Sequence, residues 1–180
     1  MGVRVFQKEP ELLYKIATLT KSNAKLYFRD KSGISGAGYL LQINDREIYE
    51  DLLQLGLFPN KSLSLVFPDI EPLYIRHFIR GCRDGDGTVY WNDNDIEELI
   101  KRLVALGLPD RTIYEDKRRA FYVRYFGKDC AKLYHILYDG VPESMYLTRK
   151  YKRFKAIADY FEKYDSLSLS LFSNRLGDSS

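Results

Sequence analysis

The sequence predicts an α+β protein made of two copies of a helix–strand–strand–helix unit. Residues 10–19 and 96–106 each place leucine and isoleucine at helical spacing, which indicates two amphipathic helices. Each helix is followed by two strand-like stretches, which turns rich in glycine and charge separate. Each pair of strands then runs into a further helix that ends at a glycine, so the same order of elements occurs twice.

The first copy is predicted to contain a helix, two strands and a helix over residues 10–19, 24–29, 38–43 and 45–55. In the first helix, Leu12, Leu13 and Ile16 share one face. Asn44 is the predicted N-cap of the second helix, and Gly56 ends it. Only eight or nine residues precede the first helix, so we expect no further helix ahead of it.

The second copy is predicted to contain the same elements over residues 96–106, 112–115, 120–126 and 129–138. Its first helix has strong boundary signals: Asn94 is the predicted N-cap, and Glu97 completes a capping box three residues later. Gly107 ends this helix, and Pro109 follows just beyond.

An additional helix is predicted ahead of the second copy, in the segment EPLYIRHFIRGCRDGD at residues 71–86. Its apolar residues suit a buried helix that ends at Gly85 and Gly87. We therefore divide the chain into a first, incomplete half at residues 1–70, a second half at 71–164 and a tail at 165–180. The tail alternates Ser and Leu before it turns polar, which suits an added edge strand or, as we favour, a loose end.

Composition excludes several classes of protein. The 180 residues carry a net charge of +3 and are 45% hydrophobic, which is enough to build a core and excludes wholesale disorder. No apolar run approaches the ~20 residues of a membrane span, and residues 1–6 lack a secretory apolar region. We therefore expect an intracellular protein, cytoplasmic or organellar, without a membrane partner. Cys82 and Cys130 are interpreted as buried thiols, and His77 and His135 as packing or surface residues.

The run FIRGCRDGDG, which ends at Gly87, carries a family resemblance. With PNKS at residues 59–62, FP at 67–68 and YLTRKY at 146–151, it resembles the LAGLIDADG homing endonucleases, found as free-standing intron proteins and inside inteins. The similarity spans about residues 10–164. A calcium-binding EF-hand is the other interpretation of these letters, but with Asp84 first in the loop the required glycine falls on Val89.

The resemblance implies a LAGLIDADG-like fold, with a pseudo-twofold arrangement of antiparallel DNA-binding sheets, and an active site at the end of the motif helix. Asp86 would be the catalytic acid and, with the Gly85 carbonyl, would hold Mg²⁺ or Mn²⁺, hard cations that prefer oxygen ligands. Lys61 would polarise the scissile phosphate, or it is a solvated lysine in a turn. Lys150 would be its counterpart in the second half. Asp84 is interpreted as a local cap of the helix end and its turn.

Motif helices of this family pack against each other through small residues, which implies an interface at Gly81 and Phe78. The chain has one such helix where the pseudo-symmetric enzymes have two, so we expect a homodimer through this helix that brings two Asp86 carboxylates together. A buried charge in a helix interface is costly, so Arg83 is expected to be exposed.

Duplex DNA is the implied ligand. Basic residues of the predicted strands would meet it, namely Lys25, Arg29, Arg119 and Arg124. Basic residues of the segment TRKYKRFK would contact phosphates, namely Arg149, Lys152 and Arg153; the bland alternative is a helix with its cations in water. The sequence thus predicts a metal-dependent homing-type DNA endonuclease or a reduced descendant. The alternative is a non-catalytic nucleic-acid-binding protein that binds DNA or helps splice intron RNA.

Overall fold

Across the described residues, helices are interspersed with two small antiparallel sheets, which confirms the predicted α+β class. The structure is a computed structural model, and it describes residues 2–21, 24–30, 36–58, 67–85, 93–117 and 121–177. At residues 93–95 and 165–177 it describes the backbone alone. The chain divides into two units: Met1–Val89 with Pro142–Leu147, and Tyr90–Val141 with Thr148–Ser180.

The first unit contains a three-stranded antiparallel sheet in the order β1-β3-β2. Its strands are β1 Val3–Gln7, β2 Lys25–Arg29 and β3 Gly38–Ile43. Its helices are α1 Pro10–Thr20, α2 Arg46–Gln54 and α3 Pro72–Gly85, with a short 3₁₀ helix at Glu143–Met145. The core lies between α1 and one face of the sheet, where Leu13, Leu41 and Ile43 are buried together.

The second unit contains helices α4 Asp93–Ala105, α5 Gly127–Tyr138 and α6 Thr148–Gly177, with the two-stranded sheet of β4 Tyr114–Glu115 and β5 Phe121–Tyr122. Helices α5 and α6 pack through aromatic rings. Tyr134 stacks on Tyr138 at 5.5 Å between ring centroids and meets Phe154 edge-to-face, also at 5.5 Å. Burial raises the pKa of Tyr134, so its hydroxyl stays neutral. Some of the 15 tyrosines of the chain therefore form part of this core.

Most predicted elements are present with small shifts of their ends. Strand β3 has the predicted bounds, and helix α2 is capped by Asp45 in place of Asn44, its carboxylate accepting a hydrogen bond from the Ile48 N–H at 3.1 Å. The strands of the second unit are shorter than predicted, since residues 123–126 are not extended into the sheet. The loose end expected at 165–180 is wrong for residues 165–177, which continue helix α6.

The division into halves at residues 1–70 and 71–164 follows from the predicted repeat, and it stays a prediction. Helix α3, which the repeat assigns to the second half, belongs to the first unit together with Pro142–Leu147. The eight or nine residues ahead of α1, in which no helix was expected, contain strand β1. In the part of the chain that the structure describes, no helix is long and apolar enough to cross a membrane.

Candidate nucleic-acid interface

The outward face of the three-stranded sheet is the candidate site. Side chains alternate between the two faces of a strand, and Val3, Val5, Leu26, Leu41 and Ile43 point to the core beneath α1. The residues between them therefore project from the opposite face. This outward face carries a mixture of cations and apolar side chains.

The strand register arranges the outward residues in rows. Arg4 pairs with Gln42, and Gln42 pairs with Lys25 on its other side, which gives the first row. The second row is Phe6, Leu40 and Tyr27, and in the third Gly38 pairs with Arg29. Three cations thus surround one apolar row. Since none of the residues of the three strands is acidic, the field of these cations is not cancelled within the strands.

Phe6 lies across the sheet surface rather than away from it. A Cβ built on Gly38 would stand 2.6 Å from the Cζ atom of Phe6 and 2.7 Å from the Gln7 carbonyl oxygen. The ring therefore occupies the space that a side chain at position 38 would need. Phe6 remains 37% exposed and Tyr27 is 46% exposed, so both rings are accessible from solvent.

The structure places two of the predicted DNA-binding residues on this face. Lys25 and Arg29 are exposed on β2, two rows apart. Arg4 completes the set, and sequence reasoning missed it because β1 was not predicted. The alternation of Val3, Arg4 and Val5 was the available signal, since apolar residues two apart indicate a half-buried strand.

The motif helix α3 is described as far as Gly85, and the predicted catalytic Asp86, the next residue in the sequence, lies outside the described residues. Lys61 also lies outside them. Gly85 is half-buried, and Gly81 is exposed, with no described atom within 4 Å of a Cβ built on it. Phe78, the other predicted interface residue, packs edge-to-face on Phe67 of its own unit at 5.5 Å.

Asp84 contacts a distant segment of the chain; its predicted role as a cap of the following turn falls on residues outside the described range, which stops at Gly85 here. Asp84 is buried, and its carboxylate accepts a hydrogen bond of 2.9 Å from the Leu147 backbone N–H. Arg83, which was expected to be exposed, is half-buried and lies with its Nη1 atom 3.7 Å from the Asp84 carboxylate. Helix α3 is described as far as Gly85, and from its last described turn the Asp84 side chain reaches the distant segment at Leu147.

Three side chains hold the backbone of residues 145–147. Besides Asp84, the buried Arg80 donates from Nε to the Met145 carbonyl at 3.1 Å, and Lys15 of α1 donates from Nζ to the Tyr146 carbonyl at 2.7 Å. Such charge-assisted hydrogen bonds are stronger than neutral ones. The cations Arg80 and Lys15 therefore serve the fold of the first unit.

His77 lies beside this group, with its Nδ1 atom 2.7 Å from the Arg80 Nη2. Because the guanidinium can only donate, Nδ1 accepts, which the neutral imidazole allows. Burial, followed by the charges of Arg80 and Arg76, lowers the pKa of His77. Burial likewise raises the pKa of the Cys82 thiol to about 11, so this cysteine is protonated and unreactive near neutral pH.

In the second unit, Arg124 lies over two stacked tyrosines. The Tyr114 and Tyr122 rings are 5.6 Å apart, and the Arg124 guanidinium carbon is 4.8 Å from the Tyr122 ring centroid. Its Nη2 also donates to the Tyr122 hydroxyl at 3.2 Å. The exposed Arg124 thus already has intramolecular partners in these two tyrosines. Arg119 lies outside the described residues.

The basic residues of the predicted segment in α6 differ in exposure and in their partners. Arg149, Lys152 and Arg153 are exposed and stand at helical spacing on one side, away from the buried Phe154. Lys150, the predicted counterpart of Lys61, is half-buried. Lys155 forms an ion pair with Asp159 at 2.8 Å. The exposed trio is therefore the part of this segment that suits phosphate contacts.

Within the described residues, no group of three or more His, Cys, Asp or Glu side chains could hold a metal ion. The proposed metal ligand Asp86 is outside that range. Gly85 is within it and offers a backbone carbonyl. The carboxylate of Asp84 accepts a hydrogen bond from the Leu147 backbone N–H, so we do not count it as a second metal ligand beside Asp86.

Comparison of this chain with protein-family models, with curated proteins and with solved structures finds no match in any of the three. The resemblance of residues 77–87 to the LAGLIDADG family therefore stays a prediction.

Proposed function

We propose that this protein binds nucleic acid through the outward face of its three-stranded sheet. The observation that carries the proposal is the placement of Arg4, Lys25 and Arg29 around one apolar row, in strands without any acidic residue. Arginine and lysine neutralise phosphates and release counterions, which makes such a face attractive to a polyanion. Antiparallel strands also fit the major groove of duplex DNA, the ligand that the LAGLIDADG resemblance implies.

The modest net charge of +3 is compatible with this function because the cations are concentrated. Three phosphate contacts predict a slope of about −2.7 in a plot of log affinity against log salt concentration for duplex DNA. Contacts from Arg149, Lys152 and Arg153 would make the slope steeper.

The test is fluorescence anisotropy of a labelled duplex at a series of salt concentrations. The variant Arg4→Gln/Lys25→Gln/Arg29→Gln is expected to weaken binding and to flatten the slope by about 2.7. The matched control is Arg46→Gln/Lys101→Gln/Lys155→Gln, which lowers the net charge equally but removes cations that already pair with carboxylates. Equal losses in both triple variants would mean that overall charge, rather than this face, binds the ligand.

A second candidate function is divalent-metal-dependent cleavage of DNA, as in a homing endonuclease. The observation that favours it is helix α3 at Pro72–Gly85, which is present where the family resemblance expects the motif helix; Asp86, the expected metal ligand, is the next residue in the sequence. Lys61 and Lys150 would assist, and Mg²⁺ or Mn²⁺ would activate a water. Since Asp84 is engaged with Leu147, each chain offers one motif carboxylate, and cleavage would need a second copy.

Nicking of supercoiled DNA tests this second function. The parent protein is expected to nick with Mg²⁺ or Mn²⁺ and to stop when the metal is chelated. Asp86→Asn should abolish nicking and leave anisotropy binding unchanged. Binding without nicking under any metal condition would leave the non-catalytic function, DNA binding or help in intron RNA splicing, as the better account.

A further inference from the structure

The apolar row at the centre of the candidate face has a chemistry that phosphate contacts do not explain. Phe6, Leu40 and Tyr27 lie side by side on three adjacent strands, and the row spans about 10 Å at ordinary strand spacing. Arg4 and Lys25 lie about 7 Å away along the strands on one side of the row, and Arg29 lies about as far away on the other side. The apolar surface therefore has positive charge on both sides.

The rings are arranged for stacking. Gly38 leaves no side chain beneath Phe6, so this ring covers the sheet and can turn a face to solvent. Tyr27 is almost half exposed on the edge strand β2. Aromatic rings on a sheet surface stack nucleobases, and every base has a face that such a ring can cover.

Duplex DNA cannot use this row fully, because its bases stack on each other and present only their edges in the grooves. An unpaired strand exposes base faces and phosphates together. We propose that the row Phe6–Leu40–Tyr27 stacks the bases of an unpaired nucleic-acid strand while Arg4, Lys25 and Arg29 hold its phosphates. This inference rests on the proposed nucleic-acid binding and names the form of the ligand.

A second copy of the chain is a less suitable occupant of the same surface. Two such faces would bring their six cations together without acidic residues in the strands to offset them. Charge complementarity therefore favours a polyanion over self-association.

The experiment compares labelled twelve-residue strands by fluorescence anisotropy with the full chain: oligo-dT, oligo-rU, and an abasic strand that keeps the phosphates without bases. Phe6→Leu and Tyr27→Leu are each expected to weaken binding of the base-containing strand about fivefold or more. Tyr27→Phe should retain the affinity, because it keeps the ring. The control is Tyr14→Leu, which changes an exposed tyrosine on α1, the helix that covers the other face of the sheet. The tighter of the dT and rU strands identifies DNA or RNA as the source.

Circular dichroism melting shows whether each leucine variant is folded, and a 2-aminopurine base in the strand gives a direct signal of stacking. The inference is overturned if the abasic strand binds as tightly as oligo-dT and oligo-rU. It is also overturned if folded Phe6→Leu and Tyr27→Leu bind like the parent, or if they only shift the protein from dimer to monomer. In those cases duplex binding through the three cations can still hold, whereas failure of every nucleic acid to bind would remove the proposed function itself.

Discussion

The carboxylate of Asp84 and the backbone N–H of Leu147 form a buried hydrogen bond of 2.9 Å across 63 residues of sequence. It joins the motif helix α3 to the segment Pro142–Leu147, which Arg80 and Lys15 also hold by its carbonyls. The two acids of the motif therefore have separate duties under the proposed function. Asp84 stabilises the first unit, whereas Asp86 is the proposed metal ligand.

Asp84→Ala is expected to lower the free energy of unfolding by about 1–3 kcal/mol, because it leaves a buried N–H without its acceptor. Asp84→Asn should cost less, since its amide oxygen can still accept from Leu147. Urea denaturation followed by circular dichroism measures both changes. Asp51→Ala, an exposed acid on α2, is the control and should change stability by no more than about 0.5 kcal/mol. Equal effects of Asp84→Ala and Asp51→Ala would contradict a structural role for Asp84.

Sequence reasoning performed best where the signals are local. The bounds of β3 and the glycine stop after α2 follow from residues within a few positions. The pairing of β1 with β3 and the contact of Asp84 with Leu147 depend on partners far along the chain. The alternation of Val3, Arg4 and Val5 is a local signal for the existence of β1, but it does not identify the partner strand. The Ser–Leu alternation of residues 166–171 suits an edge strand or a loose end, of which the loose end was favoured, yet the backbone continues helix α6. Alternation over so short a stretch does not separate these structures from a helix.

The residues of the candidate site were likewise predictable only where the signal is local. Residue type and strand prediction sufficed to select Lys25 and Arg29, which lie on the outward face. Arg4 and Phe6 required the register of an unpredicted strand. Arg124 was chosen by charge alone, but its stacking on Tyr122 depends on the cross-strand pair with Tyr114, which spacing in sequence does not reveal.

Gly38→Ala is expected to destabilise the protein by about 1–3 kcal/mol, because the added methyl would meet Phe6 and the Gln7 carbonyl below 3 Å. Gly36→Ala is the matched control, since no described atom lies within 4 Å of its Cβ. Thermal melting of both variants gives the comparison. Adding Phe6→Ala should recover only part of the loss, as the carbonyl contact remains. A Gly38→Ala variant as stable as the parent would mean that the Phe6 ring does not cover this position.

The pKa values of the two histidines are expected to be shifted in opposite directions from the ordinary value. Protonated His135 donates hydrogen bonds to the carboxylates of Glu162 at 2.5 Å and Asp139 at 2.9 Å, which raise the pKa of His135, whereas burial lowers the pKa of His77. The His135 contribution to stability is present below about pH 6.5 and is lost as pH rises through its folded pKa. The His77 contribution is present above about pH 6.5 and is lost as pH falls through its folded pKa.

Proton NMR of the imidazole signals checks this directly, since the chain has two histidines. His135→Gln assigns the signals and should remove the loss of stability above about pH 6.5. Two signals that titrate together near 6.5 would contradict both environments.

The exposed trio of α6 is expected to add phosphate contacts. Arg149→Gln/Lys152→Gln/Arg153→Gln should flatten the salt dependence of duplex binding by up to about 2.7, since each contact contributes about 0.9. Lys155→Gln is the control, because this lysine already pairs with Asp159. Anisotropy titrations at several salt concentrations give the slopes. If the triple variant retains the parent slope, the trio is a solvated helix face, which is the bland alternative for this segment.

The last prediction concerns assembly through α3. Leu73 and Tyr74 are largely exposed on this helix, and Gly81, two turns after Tyr74, leaves open space where a second helix could approach closely. We expect the parent to form a homodimer at high concentration, measured as a doubled mass by light scattering.

Gly81→Gln separates the fold from the assembly. Glycine inside a helix is unfavourable, and a side chain at position 81 has room in the monomer, so this variant should gain up to about 1 kcal/mol of stability when dilute. The same side chain would prevent close helix contact, so the variant should remain monomeric at concentrations where the parent is dimeric. Leu19→Glu, an exposed leucine on α1, is the control and should still dimerise. Two outcomes would contradict a dimer through α3: a parent that stays monomeric at every concentration, or a Gly81→Gln protein that dimerises like the parent. In either case α3 would not bring a second Asp86 to the site, and cleavage by paired carboxylates would lose its structural basis.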